Sequence, residues 1–332
     1  MKPLPRLWML MLLVVTAVVV ILVAPMLGPE FIPLHTLVTA PESLAASLLR
    51  EIRISRVLIA FCAGSALALS GAAFQSMFRN PLATPFTLGV ASGAAFGSAM
   101  YIRFGANLLP SCVNGVASAA FLGSLLAIGL VYGLTRLRSG FSTATLLLAG
   151  VAVSFFFSSL IVFIQYISGV GHSFRIMHWM MGAVTAVGIA PVLRLLPFIL
   201  PGAAILFLLC RELNLMELGD DLAASRGVNV KRVKQMVFFA ASLMVGGVVA
   251  VCGPIGFVGM MAPHFCRLLL GHDHRFLLPG ALLAGGIFLV ICDTLARTMV
   301  APLEIPVGVI TALLGGPFFL WIMLTRPDRT VR

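Results

Sequence analysis

Residues Leu7 to Leu27, LWMLMLLVVTAVVVILVAPML, form a run without a single charged side chain. An α-helix needs about 20 apolar residues to cross the hydrocarbon core of a bilayer, so this run predicts a membrane span. Because Lys2 and Arg6 precede it, a cleavable signal peptide is the alternative. We favour a retained span, since the run is long for a signal and Ala24-Pro25-Met26 is a poor cleavage site.

The rest of the chain has the same apolar character. Of its 332 residues, 60% are hydrophobic and 10% are charged, and the mean hydropathy is +1.10. A soluble domain carries about 25% charged residues, so this composition excludes a soluble enzyme, a disordered protein and a coiled coil. We predict one all-α transmembrane domain over residues 1–332 with about ten helices. The predicted spans are 7–27, 57–78, 87–106, 115–135, 143–167, 190–210, 233–252, 255–270, 277–298 and 306–325.

The basic residues predict how the chain lies in the membrane. With ten spans both termini are on one side, and that side receives fifteen of the Lys and Arg residues against seven on the other. The positive-inside rule therefore predicts cytoplasmic termini. The net charge of +11 is then a topology signal, and we expect contact with membrane lipid and not with nucleic acid.

Motifs for catalysis and for nucleotide binding are absent from the sequence. There is no GxxxxGK[ST] phosphate loop, no HExxH and no GxSxG. The pair His272 and His274 is interpreted as the cap of a loop in preference to a metal site. We therefore predict a protein that is not an enzyme and that has no catalytic residue, metal or cofactor of its own.

Asp293 is the one ionisable residue deep in a predicted span. Arg297 follows four residues later, on the same helix face, so a structural ion pair is favoured over a proton relay. A translocation path lined by apolar and small polar groups remains. Such a path suits a bulky substrate and argues against a secondary transporter that works alone.

The stretch Leu218 to Val228, LGDDLAASRGV, is the longest charged stretch predicted on the cytoplasmic side. It predicts a short helix, a turn at Gly227 and then a basic lead into the next span, made of Lys231, Arg232 and Lys234. A face of small residues bounded by charges is typical of a docking surface for another protein. An ordinary solvated loop is the alternative.

Two stretches rich in proline and glycine interrupt the apolar pattern, residues 79–85 after the second span and 253–263 after the seventh. Interrupted helices at matching places in two halves are typical of a transport pathway built on repeats. Gly89, Gly93 and Gly97 recur every four residues and predict a close approach of two helix backbones.

Together these motifs resemble the FecCD family of ABC-importer permeases. The resemblance extends over nearly the whole chain. It rests on Arg53-Ile-Ser-Arg56, Asn80-Pro-Leu-Ala-Thr-Pro85, Ser142-Thr143, Leu147-Leu-Ala-Gly150, Trp179-Met-Met-Gly182, Leu218-Gly-Asp220, Gly256-Phe-Val-Gly259, Pro263-His264, Asp273-His-Arg275, Asp293, Arg297, Glu304 and Pro306-Val-Gly308.

This resemblance implies a fold and a set of partners. It implies the type II ABC-importer permease fold in the bacterial cytoplasmic (inner) membrane and a dimer with a second permease subunit, identical or different. Two ABC ATPase subunits, which hold ATP and magnesium, would dock on the cytoplasmic side. A periplasmic or lipid-anchored substrate-binding protein would deliver the cargo from the other side.

The resemblance also implies roles for individual residues. ATPase coupling is assigned to the loop 211–232, with Leu218, Gly219, Asp220, Asp221, Ala223, Ala224, Arg226 and Gly227. Two cytoplasmic gates are assigned to Asn80 and Leu82 and to Thr143 and Ala144, although Ala144 stands where one member of the family has a serine. Docking of the binding protein is assigned to Arg53, Arg56 and Arg297, which we predict on the outer side.

The cargo implied by the family is a bulky metal chelate. A ferric siderophore is our expectation because it is the commonest cargo of the family, with haem or cobalamin as alternatives. Met177, Met180 and Met181 beside His178 are compatible with a haem contact, but flexible apolar packing is favoured. An ion-coupled transporter and an intramembrane enzyme are the other classes considered.

Overall fold

The computed structural model describes residues 6–108, 115–138, 143–185 and 187–325, and these ranges contain helices and no β-strand. The predicted all-α class is therefore confirmed. The helices are α1 (Arg6–Val23), α2 (Thr36–Thr39), α3 (Leu44–Ser47), α4 (Ser55–Phe78), α5 (Val90–Leu108), α6 (Val116–Arg138), α7 (Thr143–Tyr166), α8 (Val170–Met180), α9 (Ala190–Leu208), α10 (Cys210–Glu217), α11 (Asp220–Ser225), α12 (Val230–Cys252), α13 (Val258–Leu270), α14 (His274–Thr298) and α15 (Val307–Thr325).

Each of the ten predicted spans overlaps one of these helices. Within the described ranges, seven helices are long and apolar enough to cross a membrane. They are Arg6–Met26, Leu44–Phe78, Val116–Leu137, Thr143–Tyr166, Ala190–Leu208, Val230–Cys252 and His274–Thr298. The apolar helices Val258–Leu270 and Val307–Ile322 are shorter. The number of crossings is thus not confirmed as ten, and the termini, residues 1–5 and 326–332, lie outside the described residues.

Helix α4 is the central helix of the bundle. All of its residues except Leu58, Phe61 and Cys62 are buried. Glycine makes this possible, because a Cβ added at Gly64 would collide with the backbone of α14, and one added at Gly71 would collide with the backbone of α13. Small residues of this kind let helices approach closely in lipid, where burial of apolar surface gives no driving force.

The outer helices of the bundle keep apolar side chains exposed. Helix α1 buries only Ala17, and α7 leaves Phe155, Phe156 and Phe163 exposed by 70%, 56% and 59%. In water such faces would be unfavourable. Exposed apolar helix faces are expected in a membrane protein, where they contact lipid or a second subunit.

The predicted close approach along the glycine stripe of α5 is confirmed. The partner is α6, where a Cβ added at Gly93 would lie 2.5 Å from the carbonyl oxygen of Gly123. A Cβ added at Gly97 would collide with the carbonyl oxygen of Ala119. Because both obstacles are backbone atoms, they cannot move without displacing a helix.

This packing predicts the effect of one methyl group. We expect Gly97→Ala to lower the stability by about 1–3 kcal/mol, as overpacking does. At Gly129 on α6 an added Cβ meets nothing within 4 Å, so Gly129→Ala should leave stability unchanged or raise it by about 1 kcal/mol. Thermal unfolding in detergent micelles measures both. Equal midpoints for the two variants would contradict the backbone contact between α5 and α6.

The two proline-rich stretches are interruptions of the bundle, as predicted. Helix α4 ends at Arg79, which adopts φ 50°, and a single 3-10 turn, Pro85–Leu88, precedes α5. Helix α12 ends at Gly253 with φ 68°, and Phe257 with φ 66° precedes α13. Backbone that is not helical is tolerated at membrane depth only where protein or water satisfies it.

Candidate functional site

The predicted coupling segment, residues 211–232, folds as two short helices followed by the start of α12. Gly219 (φ 134°) separates α10 from α11, and Gly227 (φ 83°) separates α11 from α12. Both angles lie in the region that favours glycine. The side chain of Asn229 caps α12 by accepting a hydrogen bond from the N–H of Arg232 at 3.1 Å. The predicted short helix and turn at Gly227 are therefore confirmed.

Helix α11 has one buried and one exposed side. Ala223 is completely buried, whereas Leu218 and Leu222 are 67% and 47% exposed. The predicted coupling residues Asp221, Ala224 and Arg226 are exposed as well. Leucines and charges of both signs share this surface, which is a composition suited to a protein partner. Its docking role stays a prediction.

Lys234, on the first turns of α12, joins the coupling segment to a predicted gate. Its ammonium Nζ lies 2.5 Å from Asp220 Oδ2 and 3.4 Å from Thr143 Oγ1. The side chain of Lys234 is only 3% exposed, whereas that of Asp220 is 36% exposed. A buried ammonium needs such partners, because an unpaired buried charge is strongly destabilising. Thr143 is the first residue of α7, so one side chain connects α11, α12 and α7.

Helix α10 is fixed to the bundle through Asn214. Its Oδ1 accepts a hydrogen bond from the backbone N–H of His274 at 2.9 Å, and its Nδ2 donates to Asp273 at 2.9 Å. Partial burial raises the pKa of Asp273, but the hydrogen bonds from the Arg275 N–H and from Asn214 outweigh it and hold that pKa below its ordinary value. The ring of His274 lies 2.6 Å from the hydroxyl of Ser76 at the end of α4.

The side chains of His272 and His274 do not face a common site. The exposed ring of His272 contacts Glu217 at 3.0 Å, while His274 is fully buried. Between them Asp273 caps α14 by accepting from the Arg275 N–H at 3.1 Å. The sequence interpretation, a loop cap made by the two histidines, therefore assigned the cap to the wrong residues, since Asp273 between them is the cap of α14. Within the described ranges, no cluster of three or more His, Cys, Asp or Glu residues could hold a metal ion.

The two predicted gates lie on different elements at the end of the bundle that carries α11. Asn80 closes a turn in which its Oδ1 accepts from the Leu82 N–H at 2.9 Å, and Leu82 is 46% exposed. A Cβ added at Gly219 would lie 3.6 Å from the guanidinium of the neighbouring Arg79, which brings this turn beside the coupling segment. Thr143 and Ala144 open α7, and Ala144 is exposed.

The two interrupted stretches meet around one cavity. It has a volume of about 230 Å³ and is lined by Leu67, Leu82, Thr84 and Phe86 on one side and by Gly256, Phe257, Gly259 and Met260 on the other. The sequence predicted that these stretches belong to one pathway, and they do share a cavity wall. Its lining is apolar apart from Thr84, in keeping with a path without charges.

At the opposite end of the bundle, Asp293 joins two arginines. Its carboxylate accepts from Arg56 Nε at 3.0 and 3.1 Å and lies 3.7 Å from Arg297 Nε. The predicted pair of Asp293 and Arg297 is therefore confirmed. Arg56 also donates to Glu304 at 2.8 Å, and the side chain of Glu304 is 58% exposed.

Arg297 and Arg53 hold the connection that follows α1. Arg297 donates to the carbonyl oxygens of Ala24 at 2.6 Å and Leu27 at 2.7 Å. Arg53 donates to the carbonyl oxygens of residues 25, 26 and 30 at 2.8–3.3 Å. Removal of residues 7–27 would leave Arg297 without both of these acceptors; the retained first span stays a prediction.

The predicted docking arginines are therefore less accessible than the sequence suggests. Arg53, Arg56 and Arg297 are 6%, 9% and 4% exposed, with their guanidinium groups bonded within the chain. All three lie at the end opposite the coupling segment, as predicted, but Glu304 is the exposed carboxylate of the cluster. Their role in docking stays a prediction, and a partner would reach Arg56 through the place that Glu304 occupies.

A second cavity lies at this same end, beside α8. Its volume is about 530 Å³, and Phe174, Arg175, His178 and Trp179 of α8 line it together with Cys252 and Gly253 at the end of α12. Met177 and Met180 are 47% and 40% exposed on α8. The polar side chains that line this cavity include a histidine, an arginine, a threonine (Thr185) and the indole of a tryptophan.

These features define a class of protein. Within the described ranges the chain has seven apolar helices long enough to cross a membrane, and a cavity lies between the two interrupted stretches. Both features are typical of a membrane transport protein. Comparison with known proteins agrees: the model of the FecCD transport family matches residues 12–325. The chain therefore belongs to the FecCD family and is a multi-pass ABC-importer permease.

Curated relatives and a solved structure are similar over most of the chain. The hemin transport system permease protein HmuU of Yersinia pestis is 41% identical over 84% of this chain and 84% of its own. The cobalamin import system permease protein BtuC of Halobacterium salinarum is 41% identical over 88% of this chain and 77% of its own. A solved inward-facing conformation of an ABC transporter has a TM-score of 0.84 at 31% identity, and it covers 97% of this chain and 100% of its own.

Proposed function

We propose that this chain is the transmembrane permease subunit of an ATP-driven importer for a bulky metal chelate. Membership of the FecCD family supports this function, and the names of relatives that carry hemin and cobalamin support the class of cargo. The ferric siderophore remains our sequence-based expectation, with haem and cobalamin as alternatives. The chain would not hydrolyse ATP itself.

The partners follow from this proposal. Two ABC ATPase subunits holding ATP and magnesium would dock on α11, and a substrate-binding protein would dock at the end that carries Glu304. A second permease subunit, identical or different, would cover apolar faces such as those of α7 and α15, where Phe155 and Leu313 are 70% and 65% exposed. The positive-inside rule supports an inner-membrane orientation in which the termini and α11 are cytoplasmic.

One observation carries the mechanism: Lys234 bridges Asp220 of α11 and Thr143 of α7. A movement of α11 imposed by an ATPase would displace Asp220, and the buried ammonium would follow because it has to remain paired. The same ammonium holds the start of α7, where a gate is predicted. ATP-driven motion outside the membrane would thereby reach the translocation path through a single buried contact.

The docking surface can be tested by co-purification with the ATPase. We expect tagged wild-type permease to retain the ATPase subunit and Leu222→Glu to lose most of it, because a buried unpaired carboxylate opposes association. Leu137→Glu is the control, since Leu137 is 87% exposed at the end of α6, outside the coupling segment. Full retention by Leu222→Glu would exclude α11 as the docking helix.

Docking of the binding protein depends on Glu304 in this account. We expect Glu304→Gln to increase the affinity for the binding protein several-fold, because Arg56 loses an internal carboxylate and can receive one from the partner. Salt should weaken the gain, since exposed charges are screened over about 8–10 Å. Glu42→Gln, which removes an exposed charge elsewhere, is the control. Unchanged or weaker binding of Glu304→Gln would contradict this site.

The cargo can be identified through the same partner. We expect the binding protein to hold one of three probes, a ferric siderophore, haem or cobalamin, and the assembled importer to take that probe into proteoliposomes. Failure with all three, in the presence of ATP and the complete set of subunits, would contradict the proposed class of cargo.

A further inference from the structure

We propose that the groove between α10 and the start of α12 binds the headgroup of an anionic phospholipid. The groove has a volume of about 320 Å³. It lies inside the bend of the chain made by α10, α11 and α12. Its lining consists of Leu209, Arg211, Glu212, Leu215, Arg226, Gly227, Val228, Asn229, Arg232, Val233 and Met236.

The charge of the groove selects an anion. Arg211, Arg226 and Arg232 line it against a single carboxylate, that of Glu212. All three arginines are exposed, and within the described part of the chain no ion pair or hydrogen bond engages their guanidinium groups. Guanidinium groups bind phosphate oxygens through paired N–H donors, and basic pockets beside membrane helices on the cytoplasmic side bind lipid headgroups.

The apolar rim of the groove distinguishes a lipid from a soluble phosphate. Leu208, at the end of α9, is 81% exposed, and Met236 and Phe239 on α12 are 40% and 44% exposed. Both helices are candidate membrane spans that continue away from the groove. A phosphate held by the arginines would therefore sit where acyl chains can lie along α9 and α12. This combination of a basic pocket and an apolar wall fits a phospholipid.

Glu212 refines the chemistry of the headgroup. Its Oε2 atom is buried and has no hydrogen-bond partner among the described residues. A headgroup with a hydroxyl could donate to the carboxylate of Glu212, which lines the groove, while its phosphate meets the arginines. Phosphatidylglycerol has both groups and a net negative charge, so it is the probe of choice. The inference concerns lipid binding and holds whether or not the transport proposal is correct.

The test is lipid retention by the purified full-length permease. The protein in detergent is incubated with an equimolar mixture of phosphatidylglycerol and phosphatidylethanolamine of identical acyl chains, and bound lipids are counted by native mass spectrometry. We expect phosphatidylglycerol to be retained at least roughly tenfold over phosphatidylethanolamine, a difference of about 1.4 kcal/mol, because three arginines outweigh the opposing charge of Glu212 and each basic residue near a lipid surface contributes about 1 kcal/mol. Equal retention of the two lipids would overturn the proposal.

Variants locate the site. Arg211→Gln with Arg232→Gln should abolish the preference, whereas Arg136→Gln with Arg275→Gln, two exposed arginines outside the groove, should preserve it. Glu212→Gln should increase retention of phosphatidylglycerol, because it removes the opposing charge, and this gain cannot come from misfolding. Loss of the preference in the control pair, or a decrease for Glu212→Gln, would contradict the site.

Two further measurements distinguish a phospholipid from inorganic phosphate and from the ATPase as the occupant of the groove. Excess inorganic phosphate should not displace the lipid, since it lacks the acyl chains; complete displacement would show a phosphate site instead. Purified ATPase added to the lipid-loaded wild-type permease should leave phosphatidylglycerol bound, because the groove lies beside α11. Displacement of the lipid by the ATPase would assign the groove to the ATPase and overturn the lipid proposal.

Discussion

Replacing Lys234 with methionine is expected to separate ATP hydrolysis from uptake. In proteoliposomes with the ATPase and the binding protein, Lys234→Met should lower the amount of chelate imported per ATP hydrolysed roughly tenfold. This factor lies within the roughly 5–150-fold effects that typical coupling free energies produce. The physical reason is that Asp220 loses its bond to Lys234, and with it the connection through that ammonium to Thr143 at the start of α7. The substitution leaves no unpaired buried charge, because Asp220 is 36% exposed and can be solvated.

Matched variants distinguish coupling from folding. Lys234→Arg keeps a cation that can reach Asp220 and should restore most of the uptake per ATP. Lys231→Met removes an exposed cation from the same basic lead and should change the ratio little. If Lys234→Met imports as much chelate per ATP hydrolysed as the wild type and binds the ATPase normally, then the contacts of Lys234 with Asp220 and Thr143 do not transmit the movement of α11.

The second large effect concerns the stability of the opposite end. Asp293→Asn should lower the free energy of unfolding by about 3–5 kcal/mol, the usual result of breaking a buried ion pair. The effect is large because Asp293, only 1% exposed, is shared by Arg56 and Arg297. Arg297 would lose the carboxylate that balances it, and Arg56 would keep only the exposed carboxylate of Glu304. Thermal unfolding of the purified permease measures the change.

An exposed ion pair of the same end provides the control. Arg50 and Glu51 are 3.2 Å apart with side chains that are 64% and 47% exposed. Glu51→Gln should therefore change stability by about 0–1 kcal/mol. If Asp293→Asn and Glu51→Gln unfold at the same temperature, the ion pairs around Asp293 do not stabilise the fold as proposed.

Local sequence patterns predicted the features of this protein that depend on neighbouring residues. The apolar runs overlap the helices, since a run of about 20 apolar residues is a local property. The turn at Gly227 and the pair of Asp293 and Arg297 involve residues at most four positions apart. The glycine stripe of α5 predicted a close approach, but it could not name α6 as the partner.

Contacts between residues far apart in the chain could not be predicted from the sequence. Lys234 was assigned only to a basic lead, because nothing local links it to Thr143, 91 residues away. Arg56 meets Asp293 across 237 residues. Arg53 was expected to face a partner protein, yet its acceptors are backbone carbonyl groups, which carry no sequence signal. The groove beside Arg211 likewise exists only because α10 and α12 fold together.

The energy source for uptake distinguishes an ABC importer from a secondary transporter. Proteoliposomes would contain the permease, its ATPase and the binding protein, and import of the chelate would be measured with ATP and no ion gradient, then with a proton or sodium gradient and no ATP. We expect import only with ATP, and none when the ATPase is omitted. Import driven by an ion gradient in the absence of ATP and ATPase would contradict ATP-driven import and identify a secondary transporter.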